Sequence, residues 1–181
     1  MPHPAERIIP TPRMDKTLVV LGSGGHTAEM LRMARGGIAH GLHCPDDALA
    51  LRLALPHRTV VPRPRRVRQS WLTTPLTVLW SLIVCVVALV RKRTAARYDA
   101  IACNGPAICV VVALADRIAA LLLRQRRAPV VYVESLARVS GLSLSGRAMR
   151  LLADRVYVQW PGLAQPDTRR LAPCVYRGLL V

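Results

Sequence analysis

Residues 16–31, KTLVVLGSGGHTAEML, decide the fold. An apolar, β-rich run empties into a glycine-rich loop, and a helical pattern begins directly after it. Strand, loop and helix N-terminus therefore follow in a row. Gly22, Gly24 and Gly25 let the backbone turn tightly and approach a ligand, while the unpaired N–H groups opening the helix favour an anion of phosphate size. His26 stands at the mouth of that anion site, where an imidazole can move a proton; the same position also suits a helix cap or a surface residue. The loop is not G-x-G-x-x-G, because Thr27 replaces the third glycine. It is not a Walker loop either, which needs Gly-Lys-Ser/Thr.

The rest of the chain bounds what this loop can belong to. At 181 residues it has the length of one domain with a real core, and a formal net charge of +16 (Lys+Arg 26, Asp+Glu 10) calls for acidic partners. Phe is absent and aromatics make up 4% of the chain, so stacking platforms for nucleic acid are hard to build and no nucleic-acid partner is expected. Five cysteines, Cys44, Cys85, Cys103, Cys109 and Cys174, form no C-x-x-C pair. They read as reduced thiols, and neither a metal nor another cofactor is expected.

Residues 1–15 carry four prolines and no apolar run, and read as a disordered lead before a single domain over residues 16–181. Residues 35–58 show no convincing strand. Residues 71–90, WLTTPLTVLWSLIVCVVALV, are uncharged and long enough to cross a bilayer, with Arg63, Arg65, Arg66 and Arg68 before them and Arg91, Lys92 and Arg93 after. Basic residues on both sides fit a segment dipping into one leaflet, with Trp71 and Trp80 at the interface; the alternative is an apolar helix buried in the core. Pro75 argues against an unbroken helix.

From Tyr98 onward the pattern is regular. YDAIACN ends at an Asn104-Gly105-Pro106 turn and is followed by a helix, AICVVVALADRIAALLLRQRR. PVVYVES (129–135) precedes a loop and a short helix near SGRAMRLLA, and DRVYVQW (154–160) stops at Pro161. Strands alternating with helices specify an α/β fold with a parallel, Rossmann-like sheet, whose ligands gather at the carboxyl ends of the strands. Those ends carry residues 22–26, 104–106, 134–138 and 159–161.

The segments LGSGGHTAEML, CNGPAICV, YVESLARVSGLSLSGRAMRLLADRVYVQWP and YRGLLV closely resemble the asparagine-linked glycosylation protein 14 family. The resemblance covers residues 17–34 and about 59–181. It implies the N-terminal, acceptor-side half of a split GT-B glycosyltransferase, inactive alone, whose catalytic partner of protein 13 type binds the donor UDP-GlcNAc. The implied reaction adds the second GlcNAc to GlcNAc-diphosphodolichol on the cytosolic face of the endoplasmic reticulum membrane, for protein N-glycosylation. Two departures stand out: the family's hydrophobic N-terminal anchor is not seen, and its second strand is eroded within residues 35–58.

With that resemblance, Gly22, Ser23, Gly24, Gly25 and Thr27 are expected to donate to the acceptor diphosphate and His26 to be the candidate base. Asn104 and Gly105 either hold a sugar or phosphate or make a plain turn. Glu134, Ser135 and Arg138 form a further loop cluster, as acceptor contacts or with Glu134 and Arg138 as an ion pair. The apolar tail, with Tyr176, Gly178, Leu179, Leu180 and Val181, is expected to dock on the partner, as the family's terminus does. The rival from another class is a basic membrane- or RNA-binding module without an enzymatic partner. Length argues against a second rival, a self-sufficient glycosyltransferase, since a GT-B enzyme needs two such halves.

Overall fold

A computed structural model describes residues 14–34, 37–66, 68–95, 98–166 and 171–180. Most of the expected lead and Val181 lie outside the described residues. Seven strands form one sheet: β1 (Thr17–Val20), β2 (His40–His43), β3 (His57–Val60), β4 (Ala100–Asn104), β5 (Val130–Val133), β6 (Arg155–Val158) and β7 (Cys174–Tyr176). The order is β3-β2-β1-β4-β5-β6-β7, and every neighbouring pair is parallel. Among the described residues five α-helices connect them: α1 (Gly25–Met33), α2 (Ala48–Leu51), α3 (Thr74–Ala95), α4 (Ala107–Leu122) and α5 (Leu144–Leu152).

The continuous apolar run of β1 explains its central place. Leu18 and Val20 are fully buried among residues of α3, α4 and α5, while Val19 and Leu21 are fully buried on the opposite face with Met30 of α1 and Ala50 of α2. A strand apolar at every position needs helices on both faces, as only an interior parallel strand has. Each such side chain contributes about 1.5–3 kcal/mol by leaving water. The strand order reverses between β1 and β4, the topological switch point outside whose carboxyl ends open α/β sheets place a ligand crevice.

Two sequence expectations are corrected. Residues 35–58 hold both β2 and the start of β3, so the second strand is present. Its sequence, HGLH, hides the strand: His40 stacks on His57 of β3 with ring centroids 4.5 Å apart, and a Cβ at Gly41 would lie 2.5 Å from Leu55 Cδ1. Pro75 does not break the apolar helix. It is the second residue of α3, where its missing N–H leaves no intrahelical bond unmade.

Helix α3 presents two apolar faces. Cys85 and Leu89 pack into the core and Arg93 follows one turn later, while Leu76, Leu79, Trp80, Ile83 and Val87 form an exposed stripe, with exposed Leu72 just before the helix. Ser81 Oγ donates to the Pro62 carbonyl and Thr77 Oγ1 to the Pro64 carbonyl, each at 2.7 Å, beyond the end of β3. The first two turns of α3 therefore overhang the carboxyl edge of the sheet. Its far end is pinned by the fully buried Asp116 of α4, whose Oδ1 accepts from Arg93 Nη2 and from the Tyr98 hydroxyl, each at 2.6 Å.

Candidate functional site

The glycine loop leaves β1 through two consecutive residues of positive φ, Ser23 (76°) and Gly24 (57°), and α1 starts at Gly25 without a side-chain cap. Gly24 and Gly25 are exposed, and a Cβ on either would meet no atom within 4 Å. This helix start is uncapped and open, with its backbone N–H groups free of a side-chain cap. Thr27 is placed differently from its sequence expectation. It is fully buried, accepts from the Ser23 N–H at 2.9 Å and donates to Asp47 Oδ2 at 2.6 Å. Asp47 in turn caps α2 through the Ala50 N–H. Thr27 and the Ser23 amide thus hold the loop's shape rather than reach for a diphosphate.

Arg63 joins this loop, although the sequence suggested only a membrane-flanking charge. Its Nη2 donates to Ser23 Oγ at 2.9 Å, and its Nε lies 3.0 Å from Asp46 Oδ2. Arg65 stays with the apolar helix, its guanidinium carbon 3.8 Å from the centroid of the Trp71 ring.

Across the crevice, the β4 turn closes on His26. His26 Nδ1 lies 2.9 Å from Asn104 Oδ1, and Asn104 Nδ2 donates to Glu29 Oε2 at 2.9 Å. Glu29 Oε1 also accepts from Ser135 Oγ at 2.9 Å, so one α1 carboxylate ties together the turns after β4 and β5. Sequence reasoning missed Glu29. Its signal was present, since residue 29 follows His26 by three positions and so shares its helix face. Asn104 is fully buried with both ends of its carboxamide occupied, which assigns it to support of His26 rather than to a sugar or phosphate.

The remaining predicted residues divide between support and surface. Glu134 is buried and accepts from the Ser135 and Ser143 N–H groups (3.1 and 3.0 Å), Ser143 Oγ (3.1 Å) and the Tyr132 hydroxyl (3.3 Å). Ser143 caps α5, so Glu134 anchors that helix and is not an ion-pair partner of the exposed Arg138. Burial, then the Glu134 charge, push the Tyr132 hydroxyl far above its ordinary range, so it stays a donor; it binds the Gly105 carbonyl at 3.0 Å. In the tail, the Leu180 N–H donates to Gln159 Oε1 at 3.1 Å, while Tyr176 and Leu179 are exposed. All five thiols are buried, and burial pushes Cys44 up to about 11. His43, beside it, donates Nδ1–H to the Cys44 carbonyl at 2.8 Å. Among the described residues no three His, Cys, Asp or Glu side chains converge to hold a metal.

Residues 52–175 match the family described as oligosaccharide biosynthesis protein Alg14 like. The chain belongs to this family. It is 39% identical over 163 residues to the UDP-N-acetylglucosamine transferase subunit alg14 of Schizosaccharomyces pombe, covering 81% of this chain and 76% of that protein. It is 32% identical over 196 residues to the corresponding mouse subunit, covering 94% and 86%. In fold it is similar to MurG of Acinetobacter baumannii, with a TM-score of 0.59 at 17% identity over 87% of this chain. It spans about half of that protein, 45% of its length. The resemblance carried by the glycine loop, the Asn104 turn and the closing strands therefore holds. Among the described residues one helix, α3, is long and apolar enough to cross a membrane by length and composition, with 22% of its apolar window buried.

Proposed function

We propose that this chain is the acceptor-side half of a two-chain UDP-N-acetylglucosamine transferase that acts on a lipid-linked GlcNAc diphosphate. Its partner, of asparagine-linked glycosylation protein 13 type, binds the UDP-GlcNAc donor. The reading is carried by one observation: His26 sits beside the exposed start of α1, at the crevice where the order of strands reverses. The Gly24–Gly25 backbone and Arg63 receive the acceptor diphosphate. His26 takes the proton of the acceptor 4-hydroxyl as its oxygen forms the bond to the donor anomeric carbon, and UDP departs with the electrons of the broken bond.

The overhanging turns of α3 supply the route for the lipid. Leu72, just before α3, and Leu76 in its first turn are 90% and 71% exposed, and this end of the helix is bonded through Thr77 and Ser81 to the residues that leave β3. Laid in one leaflet, this face would bring a membrane-held diphosphate to the loop, and the basic residues before it suit an anionic surface. The substrate is read as GlcNAc-diphosphodolichol at the cytosolic face of the endoplasmic reticulum, in keeping with the family's place in oligosaccharide biosynthesis.

Reconstitution tests the reading. The purified chain alone should transfer no GlcNAc to a short-chain GlcNAc-diphosphoryl lipid, and adding the partner should start turnover. His26→Ala in the assembled pair should lower kcat by roughly 10²- to 10⁴-fold, the range for losing a general base. Turnover by the isolated chain, or a wild-type kcat in the variant at saturating acceptor, rejects it.

A further inference from the structure

We infer that Glu29 is a positioning residue for transfer: through the Asn104 carboxamide it holds His26 as the Nδ1–H tautomer and leaves Nε2 as the proton-accepting lone pair. The inference rests on the reading of His26 as the base and adds what fixes its direction.

The chain of assignments has one solution. A carboxylate only accepts, and the donors on Glu29 are Asn104 Nδ2 and Ser135 Oγ, each at 2.9 Å, with the Leu136 N–H at 3.4 Å. The Asn104 amide group must therefore face Glu29, so its Oδ1 faces His26. An amide oxygen accepts and never donates, so His26 Nδ1 carries a hydrogen and the neutral ring has its lone pair on Nε2. Asn104 is fully buried, and the alternative orientation would set its carbonyl oxygen against a carboxylate and its amide against a ring nitrogen. Even with the ring in its other tautomer to accept from that amide, the flip loses the bond to Glu29 and sets two acceptor oxygens against each other at 2.9 Å, which is costly in a buried site. The carboxylate thus acts on the imidazole through one intervening amide, in the way that a third group orients the base of a catalytic triad.

A purely structural role for Glu29, as a clasp between the turns after β4 and β5, predicts something else. It would cost stability or complex yield when removed, with no preference for how the polarity is restored.

The test uses the assembled two-chain enzyme. Glu29→Ala should lower kcat by roughly 10- to 10³-fold, short of the ~10⁴ that a wrong tautomer costs a serine protease, with the acceptor KM nearly unchanged. Asn104→Asp alone opposes two carboxylates at hydrogen-bond distance and should be equally poor. The double exchange Glu29→Gln with Asn104→Asp restores a donor–acceptor pair and an oxygen facing Nδ1–H. It should recover kcat to within about tenfold of wild type and move the acid limb of the pH profile upward, because a carboxylate beside the ring favours imidazolium. Imidazole ¹⁵N shifts read the tautomer directly: Nδ1–H in the wild type and in the double exchange, lost or mixed in Glu29→Ala. Glu29→Ala with unchanged kcat and tautomer, or a double exchange no better than the poorer single, overturns the inference while leaving the base reading intact. A wild-type kcat for His26→Ala overturns the base reading and takes this inference with it.

Discussion

Gly105 and His26 share a volume that only glycine leaves open: a Cβ on residue 105 would overlap the imidazole at Nδ1, Cγ and Cε1. Residue 105 also has φ +89°, a backbone state that side chains resist. The other wall of the same slot is Gly22, where a Cβ would lie 2.5 Å from Pro106 Cδ and 3.0 Å from His26 Cβ. The imidazole is gripped between the two glycine loops, which gives the glycines of the Asn-Gly-Pro turn and of the β1 loop a shared steric reason.

Gly105→Ala should therefore displace His26, lowering kcat at least tenfold, and destabilise the fold by about 1–3 kcal/mol through backbone strain. Gly24→Ala is the control. Its φ is +57°, yet a Cβ there meets nothing within 4 Å. It should show strain and a raised acceptor KM with kcat kept. Equal kcat losses in the two variants would contradict the gripped-imidazole picture.

The membrane reading makes a separate forecast. Leu76→Ser with Trp80→Ser should weaken binding to vesicles whatever the salt, since the lost contribution is apolar area at roughly 25 cal/mol per Å². Arg66→Ser with Arg68→Ser should weaken binding to anionic vesicles at low salt only, as exposed charges are screened over about 10 Å at 0.1 M. Vesicle flotation separates the two; indifference of both pairs rejects α3 as the membrane face.

How much of this was legible beforehand depended on the strand. β1, β4 and β5 are apolar runs buried or half-buried on both faces, and β6 alternates buried Val156 and Val158 with half-buried Arg155 and Tyr157, so the parallel α/β fold could be read directly. β2 and β3 were not legible because HGLH and HRTV replace aliphatic contacts with a stacked His40–His57 pair and a glycine fitted to Leu55. At the site, the residues that form the loops were found from their turn chemistry. Glu29 and Arg63 escaped, since a mid-helix glutamate and a member of an arginine run look like solvated charges until tertiary contacts bring Asn104, Ser135 and Ser23 to them.

The exposed Leu179 gives the partner-docking expectation a cleaner test than truncation. Removing residues 178–181 would also free Gln159, which is buried and donates to the Glu134 carbonyl at 3.1 Å. Leu179→Asp leaves the Leu180 backbone bond in place and charges a side chain that is 62% exposed. Co-purification with the catalytic partner should fall at least tenfold while the melting temperature of the chain holds. Undiminished complex yield would remove the tail from the interface.

Acid should weaken the amino edge of the sheet through Asp154. Burial alone would raise its carboxyl, but both oxygens are held by Arg127 at 2.6 Å, Oδ2 also accepts from the Val130 N–H, and the net effect is a value below the ordinary one. A folded-state value below the unfolded one means stability present above the ordinary aspartate range and lost as pH falls through the folded value. The pair is partly exposed, so the loss should be about 1 kcal/mol or less. Denaturant midpoints between pH 5 and about pH 2 should fall less steeply in Asp154→Asn than in wild type; parallel curves would contradict the assignment.

Arg63 separates the acceptor site from the membrane surface most sharply. It precedes α3 within the basic run, but its guanidinium is spent on Ser23 Oγ and Asp46 at the glycine loop. If the acceptor diphosphate binds there, Arg63 is a cation fixed beside it, and a hydrogen bond to a charged group contributes about 1.5–3 kcal/mol. Arg63→Met should thus raise the acceptor KM by roughly 10- to 100-fold with kcat largely kept, because the lost interaction is the same in ground and transition states. Vesicle binding should be unchanged, unlike that of the Arg66 and Arg68 variants. A variant with normal KM and impaired vesicle binding would return Arg63 to the membrane flank and leave the diphosphate to the α1 backbone alone.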